Sequence, residues 1–505
     1  MHAAATKFFT RYPRKSIRIL EIIPPLSAIF LISMPFWGAI FFPVQLAYFI
    51  IFFDVYWFYQ SANLAYCAFI SSRKIKAAEK QDWVSLVEVL PNFEKLHHAI
   101  IIPTYKESIE KIKETIDSIA SQTFSTKKIH IFVAFEEREL EAKDKSVELT
   151  REYKSSFGGF YSTFHPDNAL EVKGKSSNQA YAAKFANEAL IENPIRRAQG
   201  GEKIDVNFLT VSSVDADAIF DKQFIACLSY KFLSSTDPYH TFWQSANVAY
   251  NNFWQVPSFI RIIAFFSSLW RISLLVQGLR LIPNSVYSLS FKLLKDIDYW
   301  DTDVIPEDYR IFFKAFFDSR GKVNVEPIFL KTSMDSPYSG SYFKSLLNKY
   351  NQERRWSWGI SDDAVYIKWW ILAREVPFWK KTYLVANVVM DHILWPVNWY
   401  IITISANLIV FLNPVFSRTS LGYNLPRMSG FILTLCLLAL FVLIYVDFDM
   451  RTRKANVSRF RQFIFPLEFV LMPISGFFLS SLPALISHIQ LIMGKRLEYK
   501  VTEKS

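Results

Sequence analysis

The chain has 505 residues, of which 51% are hydrophobic and 17% aromatic, with 47 Phe against 14 Gly and only 20% charged. That composition excludes a disordered or collagen-like chain, and three scattered cysteines without a CxxC pair exclude a disulfide scaffold or a zinc ribbon. The formal net charge is +11, and its placement carries more information than its size.

The apolar residues gather at the two ends. Residues 18–42 and 42–70 each reach the roughly 20 residues that a membrane-crossing helix requires, with Glu21 and Asp54 as their only acidic groups. Lys7, Arg11, Arg14, Lys15 and Arg18 lead into the first, and Arg73, Lys74, Lys76 and Lys80 follow the second. The positive-inside bias therefore predicts a hairpin with both ends, and the segment after it, in the cytoplasm. Because these clusters flank apolar spans, they suit anionic lipid and topology better than nucleic acid. The first span runs straight into the second, so a cleaved signal peptide is not expected.

The middle of the chain is mixed in character and predicted to be globular. Residues 98–104 (HAIIIPT) form a β-branched run ended by Pro103, a strand buried on both faces. Ile109, Ile112, Ile116 and Ile119 recur at helical spacing and predict an amphipathic helix over 107–122. Further strands are predicted at 128–135, 159–164 and 206–214, with a second helix at 177–190. This alternation predicts a parallel α/β sheet that binds ligands at the carboxyl ends of its strands.

Four polar groups stand out along this region. Lys173-Gly174-Lys175, followed by Ser176, Ser177 and Asn178, places two cations before a helix start, which suits a diphosphate or a solvated basic turn. Asp215 and Asp217 close a buried strand; two hard oxygen ligands suit Mg²⁺ or Mn²⁺ shared with a diphosphate, and equally a turn or cap. Pro306-Glu307-Asp308 opens an aromatic helical stretch, where a carboxylate serves as an N-cap or as a general base. Gln352-Glu353-Arg354-Arg355-Trp356 offers a sugar and phosphate platform or an interfacial aromatic belt. Between the second and third groups, residues 258–281 are apolar with Arg261, Arg271 and Arg280 widely spaced. They predict an interfacial helix whose arginines snorkel, since a spanning helix would place Asp308 on the wrong side.

Apolar blocks return at 383–416, 429–446 and 463–493. The first two are predicted to cross and return. Asp391 and His392 inside the first are expensive in lipid and either line an acceptor passage or cap an interfacial helix before Trp395-Pro396. The last block follows a basic, cytoplasmic segment and is interrupted by Pro466, Pro473, Gly476 and Pro483, which predicts a re-entrant or interfacial hairpin. The expectation is four spans and a broken helical pair.

Taken in order, PTYKES, KGKSSN, VDAD, PED and QERRW resemble the membrane-integrated inverting glycosyltransferases of family 2, the group of cellulose, chitin and hyaluronan synthases, over about residues 99–358. The resemblance implies a GT-A fold (α/β) flanked by transmembrane helices, a nucleotide-sugar donor, most simply a UDP-sugar, and Mg²⁺ or Mn²⁺. It implies that Asp215 and Asp217 hold metal and diphosphate and that Asp308 is the general base. Lys175, Asn178 and Thr104 fall on the donor side, and Gln352, Arg355 and Trp356 on the acceptor and diphosphate side. The tail YKVTEK is similar to the FxVTxK gating loop of cellulose synthases, which implies roles for Thr502 and Lys504 and a cytoplasmic C-terminus. Phe135-Glu136-Glu137-Arg138 stands where most members have paired aspartates at the nucleotide base, so Glu136 is a substitute candidate there.

The expected organisation is thus a transmembrane hairpin (1–72), a cytoplasmic GT-A domain with its interfacial helix (73–380), transmembrane helices and a basic loop (381–462), and a hairpin with a gating-like tail (463–505). The expected function is a hexosyl transfer from a nucleotide sugar that builds a polysaccharide at a bacterial inner or plasma membrane. Transfer of one sugar to a polyprenyl phosphate or glycolipid is the alternative, and a non-catalytic membrane scaffold a third. The expected partners are a glycan or lipid acceptor, membrane lipid and an accessory or homo-oligomeric subunit, without nucleic acid.

Overall fold

In the computed structural model, which describes residues 2–192, 204–451 and 457–497, the first two apolar stretches form helices α1 (Pro13–Phe41) and α2 (Pro43–Ala78), joined at Phe42. Pro43 opens α2 at its first turn, where a missing N–H forfeits no helical hydrogen bond.

The α/β region then begins with β1 (His97–Pro103), whose five central residues are buried. Helix α3 (Ile109–Ala120) starts at Ser108, which caps it by accepting from the Lys111 N–H at 3.4 Å. It buries Ile112, Ile116 and Ile119 against the sheet, each side chain contributing about 2 kcal/mol of apolar burial. Strands β2 (Ile129–Glu136) and β3 (Gly159–His165), helix α4 (Lys175–Ala186) and strand β4 (Leu209–Ser213) follow. These lie within four residues of the predicted bounds. The chain continues through β5 (Ile219–Phe220), β6 (Thr241–Val248), α5 (Ser258–Leu274), β7 (Tyr287–Ser290), α6 (Glu307–Asp318), β8 (Asn324–Ser333) and α7 (Tyr342–Ser357).

The eight strands are ordered β3-β2-β1-β4-β7-β6-β8-β5. The half read from the sequence is parallel, β3 with β2, β2 with β1 and β1 with β4. The sheet as a whole is mixed, not parallel as expected, because β7 runs antiparallel to both β4 and β6 and β5 antiparallel to β8. The cause is α5: it leaves from the carboxyl end of β6 and returns the chain at that same end, so β7 must run backwards. Strand order reverses around β1 and β4, which leaves a crevice at their carboxyl ends.

Three further long helical segments follow: α8 (Phe378–Tyr400, continued to Leu412), α9 (Ser420–Met450), and a run over Phe460–Ile492 that ends in α10 (Leu482–Ile492). Together with α1 they are, among the described residues, the four segments long and apolar enough to cross a membrane. This differs from the expected set in one place. Helix α2 is not among the four, because Asp54, Gln60, Asn63 and several tyrosines lower its hydropathy. The last block is helical throughout its described residues; its prolines stand in the first turns of successive pieces, and the backbone tightens to 3₁₀ at Phe465–Leu471 and widens to π at Phe477–Ser481. The α/β region grips both halves of this run. Arg261 pairs with Glu468, Arg461 donates to the Trp254 carbonyl at 2.8 Å, and Arg354 donates to Gln490 at 2.8 Å.

Candidate functional site

Asp215 and Asp217 follow β4 in a turn closed by the Ala218 N–H on the Asp215 carbonyl at 3.0 Å. The turn aims both carboxylates into the crevice. Asp217 Oδ2 accepts from the Asp335 N–H at 2.7 Å, and Asp215 Oδ1 from Lys175 Nζ at 2.8 Å. Among the described residues, no group of three or more His, Cys, Asp or Glu side chains is placed to hold a metal. The two aspartates therefore fit a hard cation whose remaining ligands come from a diphosphate and water, the usual situation for Mg²⁺. They do not fit one caged by protein alone.

Gly174, with φ of +146°, lets the chain turn abruptly into α4. Lys175 is thereby the first helical residue, and its ammonium bridges Asp215 and Glu307, the latter at 3.0 Å, while donating to the Ser285 carbonyl at 2.9 Å. Burial disfavours its charge, but the two carboxylates outweigh burial and hold its pKa well above the ordinary lysine value. Glu307 is the residue whose role the sequence did not assign; its signal was only its place beside Asp308.

Asp308 stands in the first turn of α6 behind Pro306, which has no side chain able to cap. Its carboxylate accepts from the Tyr309 N–H at 2.9 Å and the Ser285 N–H at 3.2 Å. Burial first, and the charge of Glu307 second, push its pKa up to about 7 against the opposing pull of Lys175. A base titrating there is active only when deprotonated. The rate of any proton abstraction by Asp308 should therefore rise with pH and level off above about 7, as a pH profile of initial rates will show.

On the opposite wall, α7 presents Gln352, Arg355 and Trp356. Lys349 donates to Gln352 at 2.9 Å and pairs with Glu353 at 2.8 Å. The Trp356 ring has Lys349 Nζ 4.5 Å and the Arg271 guanidinium 5.5 Å from its centroid, so cations occupy it. Of the residues expected on the donor side, Thr104 donates to Glu107 at 2.9 Å, Glu136 pairs with Arg138, and the Asn178 amide donates to the Ala134 carbonyl at 2.6 Å. Asn178 thus ties α4 to the end of β2. All ten expected residues in the described chain (Thr104, Glu136, Lys175, Asn178, Asp215, Asp217, Asp308, Gln352, Arg355 and Trp356) line one cavity of about 1170 Å³. Thr502 and Lys504 lie outside the described residues.

The cavity extends well beyond the carboxylates, between α2, α8 and α9. Its far part is lined by aromatic, amide and hydroxyl groups, among them Gln60, Asn63, Trp395, Asn398, Thr403 and Ser429, interleaved with aliphatic side chains such as Ile402, Leu433, Leu437, Leu440 and Leu443. This explains why α2 is too polar for a simple span. Asp391 and His392 lie inside continuous α8 and line this cavity, which excludes the helix-cap reading. Asp391 holds Arg280 at 3.0 Å and His392 holds Asp363 at 2.7 Å. The expected snorkelling of the arginines is also corrected: α5 is largely buried between α2 and β6, so Arg261 and Arg280 find carboxylates inside and Arg271 faces the cavity.

No protein-family model matches the chain, and no curated protein matches it in sequence. Among solved structures it is similar to the mannosyltransferase PcManGT from Pyrobaculum calidifontis in complex with GDP-Man and Mn²⁺, with 13% identity and a TM-score of 0.44 over 86% of this chain and 100% of that one. It is also similar to S. aureus TarS 1-349 in complex with UDP-GlcNAc, with 14% identity and a TM-score of 0.36 over 79% of this chain and 93% of that one. At such identities and scores the functional reading rests on the cavity alone.

Proposed function

We propose that this chain is an inverting, membrane-integrated glycosyltransferase of the GT-A type that extends a polysaccharide from a nucleotide sugar, a UDP-sugar most simply. The observation that carries this reading is the single cavity in which the paired aspartates, the Lys175 bridge and the buried Asp308 meet, and which continues between α2, α8 and α9. Uncharged hydrogen-bonding groups and aromatic faces suit a glycan. The amides of Asn63 and Asn398 offer partners that a glycan would use and an acyl chain would not, and on these the polymer reading is preferred, while the aliphatic part of the lining suits the lipid acceptor as the second reading. The basic clusters flanking α1 and α2 support a cytoplasmic catalytic region in an inner or plasma membrane, and the grip on both halves of the last helical run supports its return to that side.

In this mechanism Asp308 takes the proton of an acceptor hydroxyl as that oxygen attacks the anomeric carbon, and the C–O bond to the nucleoside diphosphate breaks on the opposite face. Lys175 lies where it can balance the charge that develops on the departing diphosphate. Asp215 and Asp217 would hold Mg²⁺ or Mn²⁺, whose Lewis acidity would add to this stabilisation. Gln352, Arg355 and Trp356 hold the acceptor end.

The test is product size. Purified protein in vesicles, given radiolabelled nucleotide sugars with Mg²⁺ or Mn²⁺, should yield high polymer; a single sugar extractable with lipid would select the lipid acceptor, and no turnover with any donor would select the scaffold. Gly430 lines the far part of the cavity and has nothing within 4 Å of an added Cβ. Gly430→Trp should therefore shorten the polymer or cut its yield while nucleotide-sugar hydrolysis continues. Unchanged product length would argue against a passage there.

A further inference from the structure

Three arginines stand on α5 and the turn after it, and two of them, Arg261 and Arg280, pair with carboxylates. Arg261 pairs with Glu468 and donates to the Phe253 and Val256 carbonyls at 3.1 and 2.8 Å. Arg280 holds Asp391. Arg271 lines the cavity yet has no hydrogen-bond or ion-pair partner among the described residues; its only close contact of note is the Trp356 ring. It lies within the field of Asp215, Asp308 and Glu353. Each of these has its own donors: Lys175 for Asp215, Lys349 for Glu353, and two backbone N–H groups for Asp308. The guanidinium is partly exposed to the cavity and pairs with no carboxylate, so an anionic ligand can pair with it without displacing an existing partner.

The position of Arg271 indicates which ligand. It stands on the helix that floors the cavity between the carboxylates and the far passage, against the acceptor-side Trp356, whereas Lys175 already faces the donor side. A buried base at Asp308 further indicates that the acceptor attacks through a hydroxyl, because a phosphate oxygen is nucleophilic without one. Resting on the glycosyl-transfer reading above, we propose that the acceptor is an anionic glycan whose end carries a carboxylate or phosphate that pairs with Arg271 while its neighbouring hydroxyl meets Asp308. A planar guanidinium suits either group through two parallel hydrogen bonds.

The experiment is calorimetric binding to full-length protein in detergent, wild type against Arg271→Gln and Arg271→Lys, with melting temperatures confirming folding. The probes are tetragalacturonate, a 6-phosphorylated maltotetraose, neutral cellotetraose and maltotetraose, and UDP. The wild type should bind one acidic tetrasaccharide about tenfold more tightly than its neutral counterpart, the effect of one charge-assisted pair. Arg271→Gln should lose that preference, Arg271→Lys should keep part of it, and UDP affinity should stay within about twofold. Which acidic probe shows the preference distinguishes carboxylate from phosphate. Equal binding of acidic and neutral probes, or binding of UDP with no oligosaccharide, overturns the anionic acceptor while leaving glycosyl transfer standing. Loss of UDP affinity in Arg271→Gln assigns the arginine to the donor diphosphate and also overturns it. Failure of wild-type protein to bind UDP or hydrolyse any nucleotide sugar counts instead against the glycosyltransferase reading.

Discussion

Asp308→Asn is expected to reduce sugar transfer by about 10²–10⁴-fold, the range associated with a positioned general base, while nucleotide-sugar binding stays close to wild type. The amide retains the shape but has one acceptor oxygen, so it keeps one of the two contacts from the Ser285 and Tyr309 N–H groups and loses the other. At pH 8 the cost of that lost contact is offset by removal of a buried charge. With a folded pKa of about 7 against about 4 in the unfolded chain, Asp308 binds a proton between those values that the unfolded chain has released. Its contribution to stability therefore declines as pH rises through that window and is unfavourable above it. Asn carries no such charge, so the variant should melt at or above the wild-type temperature at pH 8 and lose the rise in rate across pH 7. Transfer by the variant near the wild-type rate would remove Asp308 from the base role.

The second large effect is expected at Lys175. Lys175→Met leaves Asp215 and Glu307 facing each other without the cation that joins them, in surroundings where the Lys175 and Glu307 side chains are only 15% and 8% exposed. Removing one partner from a buried ion pair typically destabilises by about 3–5 kcal/mol, and the partly open Asp215 places the expected loss at the lower end. Transfer should fall by about 10²-fold or more, because a cation aimed at the leaving diphosphate acts chiefly in the transition state. The double variant Lys175→Met/Glu307→Gln separates the two effects: it should regain much of the melting temperature and none of the transfer. A single variant that melts and turns over like the wild type would mean that the bridge is incidental.

The comparison of sequence with structure follows the range of the interactions involved. The isoleucines of α3 and the unbroken burial of β1 and β2 are set by spacing along the chain, and their elements formed within a few residues of expectation. Asp215 and Asp217 were legible because a buried strand must end in a turn, and its polar residues must point out of the sheet. The direction of β7 was not legible, because it depends on α5 leaving and re-entering at one end of the sheet. Nor was the polar stripe of α2: Gln60 and Asn63 lie in a stretch read as an apolar span, and only the packing of α8 and α9 encloses a cavity against them. In the last block the prolines mark the joins between helical pieces, each falling in the first turn of a new piece, where it is tolerated.

By itself the sequence determined where apolar length is concentrated, which segments have strand or helix period, and which carboxylates, cations and aromatic residues stand at the ends of those segments. These are local properties of the chain. Only the tertiary structure decided that Lys175 binds Glu307 as well as Asp215, that Asp308 is buried beside a like charge, and that the arginines around α5 turn inward with Arg271 left facing a cavity shared with the apolar helices. The physical reason is that the field at a charge and the shape of an empty space are sums over every segment packed around them, and those segments are far apart in the sequence.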